Sequence, residues 1–274
     1  FDEQQLEVLT LLANMAAVKI TNARLLEAEQ ARARLAHELA TATRIQRGLL
    51  PLAPPQVPGY QIDGFLETCY EVGGDLYDFR VKPDGRLMFV VGDVSGKGMG
   101  AALLMSSFLS SARVLYDTCD DPAVFAARLS AVMSSQTEPG HFITGVVGCL
   151  EPESGTVHYV NAGHGAMYLV RNGRVEEFES TGVPFGVTVD VPYRAAKLEL
   201  APGTIMAIFS DGIPEAQRGE EFFEEARVRL ALIEGSAATS IADVRAGVIA
   251  AVDAFLAGAH RSDDMTLVMI RRDA

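Results

Sequence analysis

Three cysteines in 274 residues, Cys69, Cys119 and Cys149, are odd in number and too widely spaced for a disulfide framework or a cysteine-ligated metal. They sit among apolar neighbours, as thiols do in a reducing cytoplasm. Histidine is as sparse: His37, His141, His158, His164 and His260 fall in no H-E-x-x-H pattern. No uninterrupted apolar run approaches the ~18 to 20 residues that span a bilayer, and no signal peptide opens the chain. Positive charge is also short. Lys and Arg number 23 against 36 Asp and Glu, a formal charge of −13, which speaks against a nucleic-acid or anionic-membrane partner.

Proline and glycine are missing from the N-terminal stretch until Gly48. What fills it is a helix pattern. Leu6, Leu9, Ala13, Ala16, Ile20 and Ala23 recur by threes and fours, the spacing of a coiled-coil seam. A second series, Leu25, Ala28, Leu35, Leu39, Ala42 and Leu49, is offset from the first and carries Arg32 and Gln46 at seam positions. The offset implies a register break near residues 23 to 28. Asp2 with Gln5 three residues later forms a start signal. A helix over this span would be roughly 65 Å long at ~1.5 Å per residue. That is too long to bury on one small domain, so the expected form is a parallel dimer stalk rather than a helix folded back on its own domain. Pro51, Pro54, Pro55 and Pro58 then end it.

Beyond the prolines, strand-like runs occur at 60–66, 87–91, 143–149, 156–160, 166–170, 193–200, 204–209 and 265–270. Helical patterns fill 101–116, 122–134, 220–233 and 240–256. Asn172-Gly173 reads as a hairpin turn, as does Asp84-Gly85. With 49% hydrophobic residues to bury, this order predicts an α+β fold: a four-layer α-β-β-α sandwich of two mainly antiparallel sheets flanked by helices, preceded by the long coiled-coil helix.

The segment "VVGDVSGKGMGAAL", Val90 to Leu103, resembles a phosphate-binding loop but has the wrong spacing. Only three residues separate Gly92 from Gly96, and Gly98 follows Lys97 where a Ser or Thr should hold magnesium. Attention shifts to its aspartate, Asp93, because three other places repeat the design. "EVGGDLYDF" puts Asp75 after two glycines, "IFSDGIPE" puts Asp211 at a strand end, and "RSDDMTLVMI" puts Asp263 and Asp264 before the last strand. Strand ends hold side chains rigidly, and adjacent glycines allow close approach. Carboxylates gathered so repel one another unless a cation lies between them. Oxygen donors without nearby His or Cys favour Mg²⁺ or Mn²⁺ over zinc.

Any one of these aspartates alone reads as an ordinary turn; the recurrence makes the case. Asp78 is a weaker candidate, either behind the ligands or a plain turn residue. Ser95 has no G-x-S-x-G elbow around it. His164, in "NAGHGA", reads as a structural or rim residue, and Lys97 as a solvated loop lysine in preference to a phosphate contact.

In order and spacing, "GGDLYDF", "GDVSGKGMGAAL", "NAGH", "SDGIPEA" and "DDMTLV" together resemble the metal-dependent serine/threonine protein phosphatases of the PPM superfamily, and within it the bacterial RsbU/SpoIIE-like branch. The resemblance covers roughly residues 58 to 272. Residues 1–50 look like the last helix of a GAF sensor domain running into a coiled-coil linker, and 51–274 like the phosphatase domain. A first residue other than Met fits a piece of a longer protein.

The resemblance implies two Mn²⁺ or Mg²⁺ ions, with a third left open, in a cleft at one sheet edge. By position Asp93 would bridge them, the Val94 carbonyl would be a ligand, and Asp75, Asp211 and Asp263 would complete the shells, with Asp264 as a ligand or behind them. A water between the ions would attack phosphoserine or phosphothreonine with no phosphoenzyme. The implied substrate is a STAS-type anti-sigma-factor antagonist, with activity regulated through a dimeric linker helix in the cytoplasm. Two departures stand out. Tyr70 replaces the arginine that binds phosphate in eukaryotic members, and Ser95 replaces their proposed general-acid histidine. The competing readings are a non-catalytic dimeric module that only binds a partner, and a two-metal nuclease, the latter disfavoured by the negative charge.

Overall fold

The computed structural model describes residues 2–165, 167–188 and 192–274. The expected strand residue Ala166 and the first residue, Phe1, lie outside the described residues. Helix α1 runs without interruption from Glu3 to Leu49. Its start is the predicted reciprocal cap: Gln5 N–H donates to Asp2 Oδ1 at 2.8 Å and Asp2 N–H to Gln5 Oε1 at 3.2 Å. Residues up to Ile45 form one compact unit and residues from Gln46 onward a second. In the first unit the seam leucines Leu6, Leu9, Leu25 and Leu35 stay exposed, Leu6 at 60% and Leu35 at 56%.

The second unit is the expected four-layer sandwich. One sheet takes the order β1 (Tyr60–Glu67), β12 (Met265–Arg272), β9 (Ile205–Phe209), β6 (Met167–Arg171), β7 (Arg174–Phe178). The other takes β2 (Leu76–Val81), β3 (Leu87–Val94), β4 (Ile143–Glu151), β5 (Thr156–Ala162), β8 (Ala196–Glu199). Every ladder is antiparallel. The facing sides interdigitate through Phe89, Val91, Val146, Ile208 and Val268, a dry layer of wholly or almost wholly buried apolar groups.

Helices α2 (Met99–Tyr116) and α3 (Pro122–Ser134) cover the second sheet, and α4 (Glu224–Gly235) and α5 (Ile241–Leu256) the first. By length and composition α2 is apolar enough to cross a membrane. The sequence showed no such run because four serines and Arg113 interrupt it; here its buried face, from Ala101 through Met105 and Phe108 to Tyr116, is part of the core. Asp121 and Ser240 cap α3 and α5 through their side chains.

The Asn172-Gly173 turn has φ of 51° and 69°, the mirror-image turn that matches strand twist. Asp84-Gly85 joins β2 to β3 as expected, with Gly85 at φ 86°. The structure differs from the sequence reading at β2 and ahead of α4. β2 was not expected, because its glycine-led start reads as loop. The helix expected from residue 220 begins at Glu224, because Gln217–Arg218 and Glu221–Phe222, β10 and β11, pair as a small hairpin first.

Candidate metal centre

Four strand ends meet at one edge of the sandwich, two from each sheet. Asp75 enters β2 beside the exit of β3, since Leu76 pairs with Gly92, and Asp93 is the last residue but one of β3. Asp211 leaves β9 where Asp263 and Asp264 enter β12, its antiparallel neighbour. The sheets are thereby stitched across their polar edge. Asp75, 1% exposed, accepts from Ser210 Oγ at 2.7 Å and Thr266 Oγ1 at 2.6 Å through Oδ2. Asp264 accepts from the Cys69 and Gly74 amides, both at 2.8 Å.

The glycines of these motifs have a steric cause. A Cβ on Gly73 would stand 1.9 Å from Asp264 Oδ2, and one on Gly212 would stand 1.9 Å from the Asp264 carbonyl oxygen. A Cβ on Gly74 would lie 2.8 Å from the Val94 carbonyl oxygen. Only glycine lets the loop before β2, the end of β3 and the start of β12 approach so closely.

A cleft of about 340 Å³ opens above this network, lined among others by Asp93, Val94, Lys97, His164, Asp211 and Asp263. Asp75 and Asp264 are not among its lining residues and lie buried behind it. Charge accumulates there. Burial first, then Asp211, pushes the Asp93 carboxyl up to about 7, partly offset by a hydrogen bond to Asp75. Asp211 is raised by burial and by Asp263, and Asp75 is raised well above the carboxylate range by burial and Asp93.

Three expectations need correction. Lys97 is not a merely solvated lysine: its Nζ lies 2.7 Å from Asp263 Oδ2 and donates to the Ser262 carbonyl at 2.6 Å. Cys69 is not remote, since its sulfur and carboxylate oxygens of Asp263 and Asp264 lie within 4.8 Å of one another. Burial and Asp264 push its thiol up to about 11, so with no divalent cation beside it the thiol stays protonated. Asp78 is no turn residue; it sits within β2 and pairs with Arg113 at 2.8 Å, and Arg113 in turn caps the α1 carbonyl of Leu49.

His164 takes the structural rim place expected of it. Asn161 Oδ1 accepts its amide at 2.9 Å, and its Nδ1 meets Thr144 Oγ1 at 3.0 Å. Thr144 is the cross-strand partner of Asp93. Burial lowers the imidazole to about 4, partly opposed by the Phe209 backbone, so the ring is neutral at neutral pH. Ser95 Oγ accepts from the Phe142 amide at 2.9 Å. Four contributors escaped the sequence reading: Ser210, Thr266, Asn161 and the side chain of Gln46. The first three lie inside the quoted motifs, but nothing local marks them as partners. Gln46, 7% exposed, clasps Gly73 like a strand, donating to its carbonyl at 2.6 Å and accepting from its amide at 3.1 Å.

The donor set fits hard divalent cations. Asp93, Asp211, Asp263 and Val94 line one cleft and offer oxygen donors, and the repulsion that helps raise the Asp93 and Asp211 carboxyls is what a cation relieves. A larger hollow of about 870 Å³, between the edge strands β7 and β8, gathers Arg171, Arg174, Lys197, Glu176 and Glu199 and no comparable constellation.

The family model described as Stage II sporulation protein E (SpoIIE) matches residues 83–273. The chain belongs to the SpoIIE family. The matched span holds Asp93, Val94, Asp211, Asp263 and Asp264, while Asp75 precedes it. Among curated proteins this SpoIIE-family chain is 29% identical to Protein IcfG of Synechocystis sp. over 86% of its own length and 42% of that protein. It is 26% identical to phosphoserine phosphatase RsbU of Bacillus subtilis over 86% of its length and 70% of RsbU. The chain thus spans less than half of one relative and seven tenths of the other. In fold it matches the SiaA-PP2C domain of Pseudomonas aeruginosa with a TM-score of 0.77 at 21% identity, covering 89% of this chain and 99% of that domain.

Proposed function

We propose that this chain is a metal-dependent protein serine/threonine phosphatase acting on a phosphorylated bacterial signalling protein, with a STAS-type anti-sigma-factor antagonist as the substrate class. One observation carries the reading: Asp93, Asp211 and Asp263 line a single cleft with too little positive charge to balance them. The name of RsbU, a phosphoserine phosphatase, supports it. Mn²⁺ or Mg²⁺ would be held by Asp75 and Asp93 at the second sheet's strand ends, by Asp211 and Asp263 at the first sheet's, and by the Val94 carbonyl, with Asp264 as a ligand or behind them. Two ions are the expected complement. Bound cations supply Lewis acidity toward a phosphomonoester and a water.

The chain's own residues do the positioning. Asp75 ties the β2–β3 end to Ser210 and Thr266 beside Asp211. Asp264 fixes the loop that carries Asp75. Burial keeps the His164 ring neutral at neutral pH, so it offers no imidazolium as a general acid, and protonation of the leaving oxygen would fall to solvent. No covalent nucleophile is needed. The three free cysteines support a cytoplasmic setting.

Regulation would enter through Gln46. It belongs to the last turn of α1 and grips Gly73, two residues from Asp75 and packed on Asp264. A shift of that turn would displace the loop before β2. The exposed apolar stripe from Leu6 to Leu35 suits a second copy of the helix, which would make the stalk a dimer.

The test is release of inorganic phosphate from a phosphoserine protein with Mn²⁺, with Mg²⁺ and with chelator, alongside Asp93→Asn and Asp211→Asn. Metal-dependent turnover lost in both variants is expected. A folded, metal-loaded protein that turns over no phosphoprotein would favour the binding-only module.

A further inference from the structure

A cleft lined by three carboxylates must admit a phosphomonoester dianion, and something has to hold it. Among the described residues lining the cleft, one carries a positive charge, Lys97. Its side chain is 42% exposed; Asp263 and the Ser262 carbonyl hold the ammonium rather than packing, and its four-carbon stem lets it swing once the Asp263 contact breaks. Gly96 and Gly98 on either side have φ of 93° and 76°, the left-handed backbone that favours glycine, and the loop they shape places Lys97 in the cleft lining. Tyr70, which stands where the family resemblance would place a phosphate-binding arginine, is 58% exposed and offers no charge.

Resting on the phosphatase reading above, we propose that Lys97 is the phosphate-holding cation of this cleft, parked on Asp263 until a divalent ion takes that carboxylate. The exchange follows from charge. A divalent cation held by Asp263 would take the ammonium's carboxylate partner and repel the ammonium, leaving Lys97 only the Ser262 carbonyl and its other donors free for an anion. A compact ammonium suits a tetrahedral dianion, which needs no planar fork. Lys97 would thereby couple metal loading to substrate binding: without the ion the lysine is spent on Asp263, and with it the lysine is available.

The experiment uses the full chain as wild type, Lys97→Gln and Lys97→Arg. Calorimetry measures Mn²⁺ binding, and then binding of inorganic phosphate to the Mn²⁺-loaded protein; steady-state kinetics on a phosphoserine protein give KM and kcat separately. The glutamine variant should bind Mn²⁺ at least as tightly as wild type, because a competing cation is gone. Its phosphate affinity should fall about ten- to a hundredfold, the worth of a charge-assisted hydrogen bond, with KM rising more than kcat falls. The arginine variant should recover most of the loss. Unchanged phosphate affinity in all three proteins would overturn the proposal. So would weakened Mn²⁺ binding with phosphate affinity intact, which would make Lys97 a brace for Asp263. If the wild type turns over no phosphoprotein yet binds phosphate through Lys97, the phosphatase reading fails and the anion site stands.

Discussion

The space between the two sheets and the cleft at their edge are built from the same strands and follow opposite rules. In β3, Leu87 to Val91 are wholly buried and apolar, and two residues later Asp93 carries a carboxylate into the cleft. β9 does the same from Ile205–Phe209 to Asp211, and β12 does it in reverse from Asp264 to Met265. Between the sheets the facing side chains are apolar and dry. At the edge, compensation is uneven: Asp75 has two hydroxyls, Asp264 two amides and Asp263 a lysine, while Asp93 and Asp211 keep raised carboxyls. Stability and function occupy neighbouring residues of one strand, and above the raised carboxyl pKa the edge stores a repulsion that a divalent cation removes.

Substitutions should separate the two regions. Asp93→Asn and Asp211→Asn should lower phosphatase turnover by about a thousandfold or more, yet leave the metal-free protein at least as stable in a thermal melt. Phe89→Ala should do the reverse. Its ring lies where a Cβ on Gly148 would come within 2.1 Å, and its loss should cost about 3–5 kcal/mol in urea unfolding. If both substitutions destabilised alike, the contrast between edge and interior would be broken.

Smaller effects should sharpen it. Gln46→Leu removes the clasp on Gly73 and should reduce metal affinity or turnover about ten- to a hundredfold, the range for residues that orient ligands. Replacing Leu35 and Leu39 by charged residues should change dimerisation and activity together, read by sedimentation and phosphate release. A monomeric variant with full turnover would disconnect the helix from the cleft. The pH dependence has a definite sign. Asp93 rises from 3.8 to about 7 in the folded protein, so the fold holds that proton more tightly than the unfolded chain. Its contribution is complete below about pH 3.8 and is lost as pH climbs through about 7. Metal-free melting temperature should therefore fall over that window, and Asp93→Asn should flatten the fall.

Much of this was legible in the sequence because it is local. The helix cap at Asp2, the turn at Asn172-Gly173, and the aspartates at the ends of β3 and β9 and before β12 all announce themselves within a few residues. What escaped depends on distance. Ser210 and Asp75 are 135 positions apart, and Gln46 and Gly73 are 27 apart; no local pattern says that a hydroxyl or an amide will face a particular partner. β2 was missed because its paired glycines resemble a loop, although crowding by Asp264 and Val94 is what requires them. Lys97 was read by its flexible setting, and only the fold brings Asp263 to it.

The central claim is that the edge carboxylates are assembled around divalent cations. Thermal melts at pH 7.5 with chelator and with Mn²⁺ test it most directly, on wild type and on Asp93→Asn with Asp211→Asn combined. The account predicts a marked Mn²⁺-dependent rise for the wild type, and a double variant that melts no lower than wild type in chelator and gains nothing from Mn²⁺. A wild type indifferent to Mn²⁺, or a double variant that keeps the full rise, would contradict it.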